Sequence, residues 1–273
     1  MSLKTKVASV PYLVWMVIFI ILPLLFVIYY AFTDSSGHFT FENISDAGRQ
    51  YLDAFAQSIW LALIATVICL VLALPLAYMI SRMRGVRQSV MIMLIMLPMW
   101  MNFMLRTYAW MALLSKDGII DKILTFIGFE SVPLINTQGA VVLGMVYNYL
   151  PFMILPLYSV MTKIDNSIIH AAQDLGASMW NVTSRVILPL SVPGITTGIT
   201  MVFVPSISTF VISQMLGGGK TMLVGDVIDL HLKGPAYNPN MGSAMALVLM
   251  VIVLLCMSVA NQFDDEEMEG MLI

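Results

Sequence analysis

The chain has 273 residues, of which 59% are hydrophobic and only 11% are charged, whereas soluble domains carry roughly 25% charged residues. Polar side chains are too few to cover a water-soluble globule of this size, so the composition excludes one and indicates a protein embedded in lipid. The formal net charge of −3 gives no reason to expect a nucleic-acid partner.

Six apolar runs are long enough to cross a bilayer, which takes about 20 residues. The first run follows Lys4 and Lys6 and is longer than a signal-peptide core of about 7–15 residues, so we expect an uncleaved span. Pro23 is expected to kink that span. We predict a single transmembrane domain over residues 1–273, ending in an acidic tail at 264–273. The predicted spans are residues 12–32, 57–80, 89–110, 139–161, 190–216 and 241–263.

The orientation is predicted from the short loop after the second span, which contains Arg82, Arg84 and Arg87. Positive charges in short loops favour the cytoplasmic side. Over all predicted loops the bias is weak, with seven Lys or Arg residues inside and six outside, so this loop alone decides. We therefore predict cytoplasmic N- and C-termini. The outer segments should include two short helices, at residues 119–127 and 223–232.

The loop 162–189, between the fourth and fifth spans, is predicted to be cytoplasmic and to form a helix, a turn and a second helix. Gly176 permits a tight bend, Ser178 can cap the second helix, and Pro189 closes the segment. The residues alone are typical of an amphipathic connector. Six apolar residues recur at spacings of 4, 3, 4, 3 and 4, as on one helix face: Ile168, Ala172, Leu175, Met179, Val182 and Val186.

No residue pattern indicates a catalytic, metal or nucleotide site. Residues 217–221 end like a phosphate-binding loop, but Gln214 stands where the first glycine is required, and a membrane span precedes the segment. The three histidines lie far apart, without metal-ligand spacing. Cys69 and Cys256 lie in apolar runs and are interpreted as small hydrophobic residues. We predict a non-enzyme with no cofactor or metal on this chain, so any ATP must be bound by another protein.

Candidate residues for a transport path are uncharged, because no Asp, Glu, Lys or His lies inside a predicted span. Charges within membranes are costly and usually functional, so their absence argues against a channel filter or a proton relay. Aromatic faces attract organic cations, but Trp and Tyr also mark the lipid interface. For Trp100 both interpretations remain open. The candidate path residues are Trp100, Asn102, Tyr108, Asn148 and Tyr149.

The loop also carries a family motif. Its residues 171–189 resemble the E-A-A-x-x-x-G loop of type I ABC importer permeases, including the Leu-Pro at the motif's end, here in Ile187-Leu188-Pro189. His170 replaces the motif's glutamate and so removes a carboxylate that could pair with a basic group on an ATPase. The resemblance implies the all-α, six-span type I permease fold and a loop that docks on a separate ATPase. The implied coupling residues are His170, Ala171, Ala172, Asp174, Gly176, Ala177, Ser178 and Pro189.

Longer segments resemble spermidine/putrescine permeases of the PotB type. Residues 97–102 read L-P-M-W-M-N, residues 150–158 read L-P-F-M-I-L-P-L-Y, and residues 172–178 read A-Q-D-L-G-A-S. The resemblance implies a multi-pass permease subunit of an ATP-driven polyamine importer in a bacterial inner membrane. The implied partners are an ATPase dimer that binds ATP and Mg, a second and different permease subunit, an external polyamine-binding protein and membrane lipid.

Other functions remain open. The same machinery could carry putrescine alone, iron(III) or an anion. A secondary transporter or channel would be supported by paired half-repeats or intramembrane ionisable residues, and the sequence offers neither. An intramembrane enzyme is disfavoured because no catalytic cluster exists.

Overall fold

The computed structural model describes residues 3–128 and 134–270. Within these residues the chain is helical and has no strand, only an isolated bridge between Thr33 and Phe39. The predicted all-α architecture is confirmed.

Two π-helical segments, Val17–Ile21 and Thr183–Ile187, continue neighbouring helices. In chain order the α-helices of this part are α1 Leu3–Met16, α2 Leu22–Ala31, α3 Glu42–Gln50, α4 Leu52–Arg82, α5 Val86–Trp100, α6 Phe103–Leu114, α7 Ile119–Phe126, α8 Gln138–Met161, α9 Asn166–Asp174, α10 Met179–Val182, α11 Leu188–Leu190, α12 Val192–Ile207, α13 Val211–Gly217, α14 Val224–Leu232 and α15 Pro239–Gly270.

Six membrane crossings can be built from these helices. Two bent helix pairs each provide one crossing if the pair is taken as a single span. The short helices α7 and α14 lie where the sequence predicts them. Within the described chain, four segments are long and apolar enough to span alone: Val10–Ala31, Leu52–Arg82, Gln138–Met161 and Pro239–Val259.

The third crossing is bent, although the sequence predicts an unbroken run. An angle of 89° separates α5 from the helical stretch that begins with α6. Asn102 explains the break, because its side-chain oxygen accepts hydrogen bonds from the N–H groups of Met104 (2.9 Å) and Leu105 (3.3 Å) and so starts a new helix. A second bend of 69° occurs at Ser191, where Pro193 follows in the first turn of α12 and has no N–H to continue the earlier helix.

The described chain divides into two compact units. The first contains Met1–Phe55 and Val224–Ile252. Its segment 34–53, predicted as a loop, contains helix α3. This helix forms locally because the hydroxyl of Thr40 accepts a hydrogen bond from the N–H of Glu42 at 3.1 Å, which satisfies one of the free donors at the helix start.

The second unit, Ala56–Leu223 with Val253–Ile273, is organised around α8, which packs against α5, α6, α12 and α13. An apolar cluster within this unit joins three spans to the segment that follows α8. The shared cluster therefore connects the membrane helices directly to residues outside them. Its buried members are Cys69, Ala73, Ala77, Met153, Ile154, Leu157, Met161, Ile164, Ile169, Val182, Ile187 and Val202.

The contact between α8 and α13 depends on Gly144. A Cβ at this position would lie 2.5 Å from Leu216 Cδ1 and 2.8 Å from Ile212 Cγ2, two buried side chains. We expect Gly144→Ala to destabilise the detergent-solubilised protein by about 1–3 kcal/mol through overpacking, measured as a lower thermal midpoint. Gly139→Ala is the control, because its Cβ would have only Thr137 Oγ1 nearby, at 3.8 Å. Equal midpoints for the two variants would contradict the prediction.

Candidate functional site

The segment between α8 and α12 begins with a capped helix. The carboxylate of Asp165 accepts a hydrogen bond from the N–H of Ser167 at 2.9 Å and caps α9. Hydrogen bonds from the Ser167 backbone and side chain lower the pKa of Asp165 below its usual 3.8, because they favour the ionised form. The apolar periodicity in the sequence begins at Ile168, so it does not indicate the first turn, which Asp165-Asn166-Ser167 signals.

A pH-dependent stability is expected from this cap. Because the folded-state pKa of Asp165 is depressed, the cap contributes stability at pH values above about 3.8 and loses it as pH falls through the lowered folded pKa. Asp165→Asn should cap the helix without titrating. We therefore expect the thermal midpoint of the wild type to fall relative to that of Asp165→Asn between pH 6 and pH 3. A constant difference between the two midpoints would contradict this.

The turn after α9 is set by Gly176. Its φ of +82° lies in the left-handed region, which glycine adopts without a steric cost. The N–H of Gly176 donates to the carbonyl of Gln173 at 2.8 Å, and the N–H of Ala177 donates to the carbonyl of Ala172 at 3.1 Å. This pair of bonds is the Schellman motif, which satisfies carbonyls that the helix end leaves free. The side chain of Ser178 then caps α10 by accepting from Asn181 N–H at 3.3 Å, as the sequence predicts.

The predicted apolar face is wrong in detail. A single helical periodicity over residues 168–186 would bury one set of residues, but the turn at Gly176 resets the helix phase. The residues that enter the core are Ile169, Val182 and Ile187. Four apolar side chains of the segment are instead exposed: Ile168, Leu175, Met179 and Trp180.

These exposed side chains form an unusual surface for a polar connector. Leu175 is 90% exposed and Trp180 is 77% exposed. A hollow of about 370 Å³ lies on the same segment and is lined by Gly176, Ala177, Arg185 and their neighbours. Exposed apolar groups beside a concavity are typical of a surface that another protein covers. Of the other predicted coupling residues, four are exposed and one is half-buried: His170, Ala171, Asp174, Pro189 and Ala172.

The predicted path residues fall into two groups. Trp100, Asn102 and Tyr108 flank the break between α5 and α6 and are exposed. Asn148 and Tyr149 lie on α8, where Asn148 is buried and Tyr149 is half-buried. The Tyr149 hydroxyl donates to the carbonyl of Pro205 at 3.4 Å.

Arg106, which the sequence places near the outer end of the third predicted span, is a buried charged residue of this region. It is only 8% exposed, and its Nε and Nη1 atoms have no hydrogen-bond partner. Its guanidinium lies 5.8 Å from the Phe103 ring. It is not among the path candidates predicted from the sequence, although charges inside a span are rarely without a role.

A protein-family model matches most of the chain. Residues 70–265 match the model described as "Binding-protein-dependent transport system inner membrane component". The chain belongs to this family. The match includes the whole of the segment 165–190, the bent third crossing and the central helix α8. The chain is therefore a multi-pass membrane component of an ABC transport system.

Named relatives match over nearly the full length. The Haemophilus influenzae spermidine/putrescine transport system permease protein PotB is 36% identical over 93% of this chain and 93% of its own. The PotB of Escherichia coli K12 is 34% identical over 88% of this chain and 90% of its own. The agreement confirms the resemblance that the loop and the longer segments indicate.

Solved structures match the fold. A bacterial ABC transporter involved in the import of the acidic polysaccharide alginate aligns with a TM-score of 0.80 at 16% identity, over 96% of this chain and 95% of that chain. At this identity the likeness bears on the fold alone, and it confirms the type I permease architecture.

Residues 39–94 also match the MotA/TolQ/ExbB proton channel family. The acidic residues of that shorter stretch lie at its beginning, at Glu42, Asp46 and Asp53, and residues 54–94 contain no Asp, Glu, Lys or His.

Proposed function

We propose that this chain is a permease subunit of an ATP-driven importer of polyamines such as spermidine and putrescine. The observation that carries the substrate class is the 36% identity to a spermidine/putrescine permease across 93% of both chains. The predicted spans contain no Asp, Glu, Lys or His, and this suits a path that holds a cation through aromatic faces and amides, such as Trp100 and Asn148. Acidic groups that meet the cation would then lie on the second permease subunit.

The segment 165–190 is the proposed coupling site. Its exposed residues Leu175, Met179 and Trp180 would enter a groove on a separate ATPase. Its buried residues Ile169 and Val182 belong to the same apolar cluster as α4, α8 and α12. A displacement of the docked surface would therefore move three membrane helices, because a close-packed core transmits movement.

The remaining parts of the machine are assigned to other chains. An ATPase dimer would bind ATP and Mg, and an external binding protein would deliver the polyamine to the outer segments. This chain would perform no chemistry and hold no cofactor. We place the N- and C-termini and the segment 165–190 on the cytoplasmic side, following the arginines after α4.

An anion is the second candidate substrate, and Arg106 is the observation that favours it. A buried guanidinium with unpartnered Nε and Nη1 atoms would repel a polyamine and attract a carboxylate. The two candidates differ in the sign of the cargo, so a substrate panel separates them.

The experiment uses the assembled complex in lipid nanodiscs, with both permeases, the ATPase and the binding protein. ATP hydrolysis is measured with spermidine, putrescine, iron(III) and an acidic oligosaccharide. We expect spermidine or putrescine to stimulate hydrolysis, and only when the binding protein is present. Stimulation by iron(III) or by the anion, without any response to polyamines, would overturn the proposed substrate class.

A further inference from the structure

The last residue of α4, Arg82, makes hydrogen bonds far from its own helix. Its Nη1 donates to the carbonyl of Ile164 at 3.0 Å and to the side-chain oxygen of Asn166 at 2.6 Å. Its Nη2 donates to the carbonyl of Met161 at 2.8 Å. The guanidinium also lies 5.5 Å from the ring of Tyr78, one turn back on α4.

The three acceptors lie at the end of α8, in the short connection and at the beginning of α9. Met161 is the last residue of α8, Ile164 lies in the connection, and Asn166 is the first residue of α9. Helix ends leave carbonyl groups unsatisfied, and a positive charge near a helix C-terminus is favourable. One side chain therefore joins the end of α4 to the end of α8 and the beginning of α9.

An arginine is needed for this arrangement. The guanidinium is a rigid plane with five N–H donors, so it can hold several acceptors at fixed angles. A lysine ammonium carries the same charge on a single atom and cannot reach the same three acceptors with that geometry. The Nε of Arg82 is buried and has no hydrogen-bond partner, so the site is not optimised for stability alone.

The apolar packing of α9 is shared with α4. Ile169 belongs to the same buried cluster as Ala73 and Ala77 of α4. Apolar packing is not directional, so it does not by itself fix the position of α9 along the membrane helices. The hydrogen bonds of Arg82 are directional and lie at the first turn of α9, where they fix its position along the membrane helices.

We propose that Arg82 is a positioning residue that makes movement of α9 pull on the ends of α4 and α8, and that it thereby sets the coupling of ATP hydrolysis to transport. This inference rests on the proposed docking of the segment 165–190 on an ATPase. The residue does not belong to the docking surface itself, since its guanidinium bonds are directed into the protein. Its loss should therefore separate assembly from coupling.

The test compares Arg82→Gln, Arg82→Lys and the control Arg84→Gln in proteoliposomes that contain the complete importer. Arg84 is exposed in the same loop and carries the same charge for membrane orientation. The measured quantity is the ratio of ATP hydrolysed to spermidine imported. We expect Arg82→Gln to assemble with the ATPase in normal yield but to raise this ratio about tenfold. Arg82→Lys should restore it only in part, and Arg84→Gln should match the wild type.

A milder variant guards against misfolding. Asn166→Ala removes one acceptor and leaves Arg82 in place, so it should raise the ratio in the same direction by a smaller factor. The double variant Arg82→Gln/Asn166→Ala should be no worse than Arg82→Gln alone, because both changes break one link. Independent, multiplying effects would overturn the inference.

Three other results would contradict the positioning role of Arg82. An unchanged ratio in Arg82→Gln, full rescue by lysine or loss of the ATPase from the purified complex would each overturn the positioning role. These results would leave the importer function intact, provided that the wild type imports spermidine with ATP. Failure of the wild type to do so would instead overturn the proposed function and the inference with it.

Discussion

Gly176→Pro is expected to leave the protein inserted in the membrane while abolishing co-purification of its ATPase. Proline holds φ near −65°, whereas Gly176 has a φ of +82°. Proline also removes the N–H that donates to the carbonyl of Gln173. The turn cannot form with both changes, so α9 and α10 would lose the orientation that presents their exposed side chains together. The measurement is the amount of ATPase retained on the tagged permease complex.

The matched control is Gly37→Pro. Gly37 has a φ of +81°, no atom within 4 Å of a built Cβ, and an N–H that donates to the carbonyl of Asp34 at 3.1 Å. Gly176 shares the first two features and makes an equivalent bond. Gly37 lies between α2 and α3, outside the segment 165–190, so its variant should retain the ATPase. Retention by Gly176→Pro, or equal loss in both variants, would contradict the docking role.

Trp180→Ala is expected to weaken ATPase binding strongly. Exposed aromatic side chains that become buried at interfaces commonly contribute about 2–4 kcal/mol, which corresponds to about a 30- to 1,000-fold change in Kd. Trp180 is 77% exposed, so its removal should cost little stability in the isolated permease. The measurement is a titration of the purified ATPase against the permease pair in nanodiscs, with the thermal midpoint as a check on folding.

Trp100→Ala serves as the control, because it should affect spermidine uptake and leave ATPase binding unchanged. Trp100 is 74% exposed, nearly the same as Trp180, but it lies at the break between α5 and α6. If Trp100 faces the path, its loss should leave ATPase binding unchanged and raise the spermidine concentration needed for half-maximal uptake by several-fold, as a cation–π contact of about 1 kcal/mol would. ATPase binding that is lost in Trp100→Ala, or kept in Trp180→Ala, would contradict the assignment of the two surfaces.

Much of the membrane architecture could be predicted because hydropathy is a property of long windows. The long uncharged runs that contain α4 and α8 are visible in composition alone. The break in the third crossing is not visible in composition, because Asn102 interrupts the apolar run with a single capping side chain. A window of about 20 residues averages such an interruption away. The bend at Ser191, by contrast, lies at the start of the predicted fifth span, just after the Pro189 that the sequence marks as the end of the loop.

The helix–turn–helix form of the coupling segment could be predicted from the sequence, but the set of side chains that it exposes could not. Gly176 and Ser178 mark a turn and a cap by their chemistry, and both have these roles in the structure. The helical periodicity failed because it was continued through that turn. The role of Arg82 lay beyond sequence reasoning, because two of its acceptors are backbone carbonyls about 80 residues away. Any residue type supplies a carbonyl, so no side-chain pattern signals the contact.

The most direct test of the importer function is spermidine uptake into proteoliposomes with ATP inside or outside, in the presence and absence of each partner. The result we expect is uptake that requires ATP on the side of the segment 165–190, the ATPase, the second permease and the binding protein on the opposite side. Removal of any one of them should abolish uptake. Uptake of spermidine by this chain alone, without ATP, would contradict an ATP-driven importer.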